Sequence, residues 1–213
     1  MWLSKQVIWR WVIVGLIFLG GIIWGYKIVL DSRSQKLLLP VYGMPNPDGS
    51  DHTVGNFNLV NQNGSHVTEE TFKNKIYVAD FFFTTCQGIC PLMGDQMERI
   101  ASEYKDNSKV MILSHTVKPD EDSVPVLNQY AIRRKADNSK WLFVTGKKSV
   151  IEDLARNSYL VAELGDTSNT DFVHTQFFAL VDTQKRIRGF YDGTDSVEVN
   201  KLLKDIEILL KEE

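Results

Sequence analysis

The chain has 213 residues, 43% hydrophobic and 24% charged, with a formal net charge of -3. That balance is globular, and without a basic footprint it excludes nucleic acid as the expected partner. Two cysteines are too few to staple a small secreted scaffold, so their closeness, Cys86 and Cys90, points to a redox pair or a metal site.

The N-terminus reads as an anchor. Trp11–Tyr26 (WVIVGLIFLGGIIWGY) carries no charge. With its apolar flanks it reaches about 24 residues, which at about 1.5 Å per residue spans a hydrocarbon core of about 30 Å. Arg10 and Lys27 stand near its ends, where they can snorkel, and Trp9, Trp11, Trp24 and Tyr26 form two aromatic belts. No small-x-small cleavage site follows the apolar run, which favours one uncleaved transmembrane helix over a signal peptide. Neither cysteine lies near the N-terminus, which excludes a lipidated N-terminal Cys. Lys5, Arg10 and the α-amino group before the span balance Lys27, Arg33 and Lys36 after it, so charge alone does not set the orientation.

The division is therefore 1–30 as tip and anchor, 31–55 as linker and 56–213 as one folded domain. The linker holds PVYGMPNPDGS; its apolar residues Leu37–Leu39 and Val41–Tyr42 allow it to lie against the domain.

The domain alternates strands and helices. Phe57–Val60 and His66–Val67 flank Asn63-Gly64, a hairpin signal. Ile76–Phe83 (IYVADFFF) is an apolar run suited to a strand covered on both faces. Leu92–Tyr104 is helical, with Met93, Met97 and Ile100 on its apolar stripe. Val110–Val117 is a strand, Ser123–Arg134 a helix, and Trp141–Val144 a short strand. Ser149–Asn157 opens with a capping-box spacing, Ser149 and Glu152. Gln176–Val181 and Arg186–Tyr191 form a second hairpin, and Ser196–Leu210 is a final amphipathic helix. This order predicts an α/β fold: a mixed sheet with helices on both faces.

The cysteines fall where the first long strand gives way to a helix, in FFFTTCQGICPLM. Active sites of α/β sheets collect at such strand ends. Three residues of spacing let both sulfurs approach one point at a helix N-terminus, where the dipole favours thiolate. Pro91 suits a first helical turn, and Gly88 lets the loop bend. Thiolates are soft donors for Cu(I), Zn or iron–sulfur iron, but two cysteines alone complete neither a usual Zn nor an iron–sulfur site. One imidazole would make a Cys₂His set that suits copper, Cu(I) or Cu(II). Of the four histidines, His52 and His66 lie in a linker and a hairpin and read as solvated. His115, late in a central strand, is either near the site or a core histidine. His174 precedes a strand, in a loop that can reach over the cysteines. A structural disulfide is the plainer alternative for the pair.

The stretch TTCQGICP, with its aromatic strand, resembles the Cys-x-x-x-Cys-Pro motif of the Sco/SenC family of copper chaperones. DFVHTQFFALVD resembles the family's second motif, a His followed by a strand ending in Asp; SHTVKPDEDSVPVLNQYA, WLFVTG and GFYDGTD resemble the segments around them. The resemblance covers about Asn56 to Leu210 plus the anchor. It implies a thioredoxin-like domain over 56–213, with copper held by Cys86, Cys90 and His174. It also implies a cytoplasmic tip, a soluble domain on the outer, periplasmic-type face, and a role in assembling the Cu-A centre of cytochrome c oxidase. The partners it implies are the membrane and the copper-bearing oxidase subunit or another copper/thiol client. One departure stands out: the family often reads Asp-Pro after its second strand, and here the pair is Lys118-Pro119.

Two other readings compete with metal delivery. In a thiol-disulfide oxidoreductase, Cys86 and Cys90 are the catalytic pair that keeps partner cysteines reduced, although the spacing carries one residue more than Cys-x-x-Cys. A copper or redox sensor needs no turnover. A peroxidase is disfavoured: Thr84 and Thr85 are present, but the nearest downstream arginine is Arg99, on the helix.

Overall fold

The computed structural model describes residues 5–33, 39–162, 164 and 175–212. It divides into two units, Met1–Leu38 and Leu39–Glu213. The first contains one helix, α1, Lys5–Arg33, which includes the apolar run expected to form the anchor. Among the described residues, no helix is long and apolar enough to cross a membrane. The apolarity of Trp11–Tyr26 as a whole is thus a property of the sequence.

In the second unit the sheet is built from β1 (Asn58–Asn61), β2 (His66–Thr68), β3 (Ile76–Phe82), β4 (Val110–Thr116), β5 (Trp141–Thr145), β6 (Phe177–Val181) and β7 (Ile187–Asp192). Their spatial order is β2-β1-β5-β4-β3-β6-β7. The three central strands β5, β4 and β3 run parallel, and every flanking pair is antiparallel. The mixed α/β sheet expected from the sequence is therefore the architecture observed.

Every residue of β3 and β4 is buried, because both sheet faces are covered. One face carries α2 (Ile89–Glu103), α3 (Val124–Arg133) and α5 (Ser196–Glu212). Met93, Met97, Ile100, Leu127, Leu202 and Ile206 pack there against Ile76, Val78 and Phe82 of β3. The other face carries α4 (Lys148–Asp153) and the stretch around Val54 and Phe57, packed on Tyr77, Ala79 and Phe81. The two-residue period of β3 thus sends Asp80 toward the α2 and α3 layer and Phe81 away from it.

Three local details differ from the sequence reading. The helix expected at Leu92 begins at Ile89, with Gly88 as its N-cap, so Cys90 lies inside the first turn. The first hairpin closes over a longer turn, Asn61 N–H to Ser65 O at 2.9 Å, with Gly64 at φ +79°. Ser149 is not the cap of α4: Lys147 holds that position, and a π turn, Leu154–Ser158, completes the segment.

Residues 39–55 run along the domain. Tyr42 bridges Ile187, and Val54 is buried. The strongest tie is Arg188. Its guanidinium, 4% exposed, donates to Leu39 O at 2.7 Å and Pro40 O at 3.1 Å. It also pairs with Asp182 at 3.0 Å and Glu212 at 3.1 Å. Removing Arg188 leaves the buried Glu212 carboxylate without its cation, while Asp182 keeps Arg186 at 2.8 Å. Arg188→Ala is expected to lower unfolding free energy by about 3 to 5 kcal/mol in urea titration. Arg188→Lys recovers only part, because one ammonium cannot serve four acceptors in a planar fork.

Candidate metal and redox centre

The dithiol sits where β3 ends. Cys86 N–H donates to Phe83 O at 3.3 Å, which turns the chain back before Gly88 opens α2. Cys90 follows in the first turn, and Pro91 falls where a missing N–H leaves no bond unmade. Both cysteines are free; Cys86 is half-buried and Cys90 buried at 6% exposure. Their thiols are neighbours against the α2 face of the core. Burial pushes the Cys90 thiol up to about 12, and its contact with Cys86 adds to the shift. The thiolate expected from the helix dipole is therefore overturned for Cys90: desolvation outweighs the helix end. The pair has one accessible sulfur and one sequestered sulfur that holds its proton.

Two polar clamps fix this turn. Asp122, 1% exposed in the loop after β4, accepts the backbone N–H of Thr84 at 3.1 Å and the hydroxyls of Thr84 and Thr116. Thr116 pairs with Phe82 in register, so one carboxylate ties the ends of β3 and β4 together two residues before Cys86. The second clamp is Arg134, just past α3. It bonds Asp95 at 2.7 Å, Glu98 at 3.2 Å and Pro91 O at 3.3 Å, holding the first turn of α2. A Cβ on Gly94 would collide with the Arg134 guanidinium, so the glycine provides its seat. Sequence reasoning passes over both residues. Asp122 is one of three adjacent acids and Arg134 one of several basic residues, and no local pattern marks either as turned inward. Lys118, at the departure from the family pattern, lies with Nζ 4.6 Å above the Phe83 ring and pairs with Glu121 at 3.3 Å.

The histidines separate by environment. His52 bonds Ser158 O at 2.9 Å, and His66 bonds Asn58 Oδ1 at 2.8 Å. His115 is fully buried, stacked on Phe81 at 4.6 Å and edged by Tyr159, on the sheet face opposite Cys90. Burial lowers its pKa to about 4, so it is a neutral core histidine. His174 lies outside the described residues. Among the described residues, no cluster of three or more His, Cys, Asp or Glu side chains forms that could hold a metal.

Asp80 occupies the same sheet face as Cys90. It is 4% exposed, and its Oδ1 has no partner among the described residues. Burial raises its pKa to about 7, opposed only in part by the Ser114 hydroxyl and the Arg134 charge. A carboxyl of raised folded pKa contributes stability that is full below the unfolded value near 3.9 and is lost as pH rises through about 7. Asp80→Asn is therefore expected to raise stability at pH 8 by roughly 1 to 3 kcal/mol. The gain closes toward pH 4. Chemical denaturation at both pH values checks this; a loss of stability at pH 8 contradicts it.

A mixed sheet with a dithiol at the junction of a central strand and the next helix defines a thioredoxin-like protein. The SCO1/SenC family pattern matches residues 45–211. The chain belongs to that family. It is 28% identical over 162 residues to the SCO1 protein homolog of Bacillus subtilis, covering 75% of this chain and 84% of that protein. The SCO2-like protein RT0576 of Rickettsia typhi is 26% identical, over 91% of this chain and 95% of its own. Among solved structures, BsSco aligns at TM-score 0.62 and 27% identity, over 74% of this chain and 93% of its own. It is described as a Sco cytochrome c oxidase assembly protein with a disulfide switch. Arabidopsis thaliana ScoI, solved with copper bound, aligns at TM-score 0.59 and 25% identity, over 73% of this chain and 98% of its own.

Proposed function

We propose that this protein is a membrane-anchored copper chaperone that supports assembly of the Cu-A centre of cytochrome c oxidase. The observation that carries this reading is the pair of adjacent free thiols, Cys86 and Cys90, at the strand–helix junction of a SCO1/SenC chain. Copper is the cargo. Two soft sulfurs fit it, and the buried setting of Cys90 excludes water from one side of the pair. His174 supplies the third donor in this reading. Copper uptake requires both thiols to release their protons, so the free energy of binding must also overcome the proton affinity of Cys90. Cargo then leaves by ligand exchange, with the half-buried Cys86 released first to the client's thiolate.

The same two sulfurs support a second reading, favoured by the disulfide switch described for BsSco. A Cys86–Cys90 disulfide removes both thiolate donors, so oxidation and copper binding exclude one another. The protein would then pass electrons to a client disulfide before or instead of metal.

The uncharged Trp11–Tyr26 run within α1 supports an N-terminal anchor, with Trp9, Trp11, Trp24 and Tyr26 at or beside its two ends, the positions of an interfacial belt. The domain is assigned to the outer, periplasmic-type face, where surroundings permit a disulfide.

Anaerobic copper titration tests the proposal. One copper per chain is expected, lost in Cys86→Ser and in Cys90→Ser. In His174→Ala the affinity is expected to fall by at least about tenfold. Unchanged affinity in either cysteine variant contradicts the reading.

A further inference from the structure

An open cavity of about 270 Å³ lies beside Cys86. Among the described residues, Thr84, Cys86, Pro91, Tyr130, Arg133 and Arg134 line it: two guanidiniums, one thiol and no carboxylate. The two arginines differ in their commitments. The Arg134 side chain is 14% exposed and already occupied by Asp95 and Glu98. Its Nε donates to the Tyr130 hydroxyl at 3.3 Å. Arg133 is exposed, with its guanidinium carbon 5.4 Å from the Tyr130 ring centroid. Among the described residues it has no ion pair. Tyr130 therefore seats both cations: its hydroxyl accepts from Arg134, and its ring centroid lies 5.4 Å from the Arg133 and 5.5 Å from the Arg134 guanidinium carbon. The acids of α2 nearest this wall, Asp95 and Glu98, both pair with Arg134 rather than Arg133, Asp122 is bound to Thr84 and Thr116, and Glu121 pairs with Lys118.

An uncompensated cation on an aromatic platform, at a cavity that opens onto one sulfur, suits an anion that arrives together with a sulfur. We propose that Arg133 and Tyr130 form a recognition site for a partner protein segment carrying an acidic residue next to its reactive cysteine. The inference deepens the dithiol reading above and rests on it. Reduction of the partner and its microscopic reverse share one mixed disulfide at Cys86; in the reverse direction, the partner thiolate attacks Cys86 Sγ of the Cys86–Cys90 disulfide. The bond between Cys86 and Cys90 breaks, a mixed disulfide forms at Cys86, and Cys90 leaves as thiolate and takes up a proton. A second partner thiolate then displaces Cys86. In the forward direction the same steps run backwards: one partner disulfide becomes two thiols, and two thiols here become one disulfide. Attack falls on Cys86 because Cys90 is 6% exposed. The carboxylate beside the attacking sulfur pairs with Arg133 while the bond is exchanged.

The test uses the full chain, oxidised, in a neutral detergent. Three blocked dipeptides, Cys-Glu, Cys-Gln and Cys-Lys, reduce it under pseudo-first-order conditions. Each rate is divided by that peptide's rate with hydroxyethyl disulfide, which removes the effect of the neighbouring charge on the thiol itself. The corrected rate for Cys-Glu is expected to exceed that for Cys-Lys by about tenfold at low ionic strength, and the gap to shrink in high salt. Arg133→Glu reverses the order, and Arg133→Lys keeps it. Disulfide exchange with equal corrected rates, or an order unchanged in Arg133→Glu, overturns the inference and leaves the dithiol reading intact. If mild oxidation forms no Cys86–Cys90 disulfide, the redox reading fails and this inference fails with it.

Discussion

Two threonine hydroxyls and one backbone N–H converge on the buried carboxylate of Asp122, and the geometry of the dithiol depends on that convergence. β3 and β4 are parallel neighbours, so nothing in their hydrogen-bond ladder fixes the chain after it leaves the sheet. Asp122 does so from the β4 side, catching Thr84 at the exit of β3. Arg134 does the same for the first turn of α2 from the end of α3. Charge-assisted bonds of this kind are shorter and stronger than neutral ones, and they fix the direction of the turn. The two sulfurs are thereby presented by a loop anchored at both ends.

Within that frame the two cysteines are unequal for a physical reason. Cys90 lies among the apolar side chains of α2 and β3, and burial there favours the neutral thiol. Cys86 lies at the edge of the same cluster and reaches solvent through the cavity beside Tyr130. A soft metal or a disulfide bond each relieves the pair of its protons, and the pair can hold only one of the two. On the proposed reading, copper binding and disulfide formation compete for the same two atoms.

Much of this was legible in the sequence, and the parts that were not share a cause. The apolar IYVADFFF run and the VMIL opening of the next strand announced a sheet covered on both faces, because a strand with no alternation has no solvent side. The position of the Cys pair at the end of the first long strand, just before a helix, was also legible and is the position observed. His115 remained open until strand pairing placed it beside Phe81, opposite the cysteines; a histidine in a fully buried strand carries no sequence mark of which face it takes. Asp122 and Arg134 were invisible as site residues, since their importance comes from distant parts of the chain, Thr84 for Asp122 and Pro91 for Arg134. The thiolate expectation failed at Cys90 because a local rule about helix ends met a tertiary fact, the depth of its burial.

The central claim is that the two sulfurs together are copper ligands. X-ray absorption at the copper edge, on the full chain loaded anaerobically with one equivalent, tests it most directly. The account predicts two sulfur scatterers and one imidazole nitrogen in the first coordination sphere. A first sphere of nitrogen and oxygen alone, with both thiols still free to react, would contradict it.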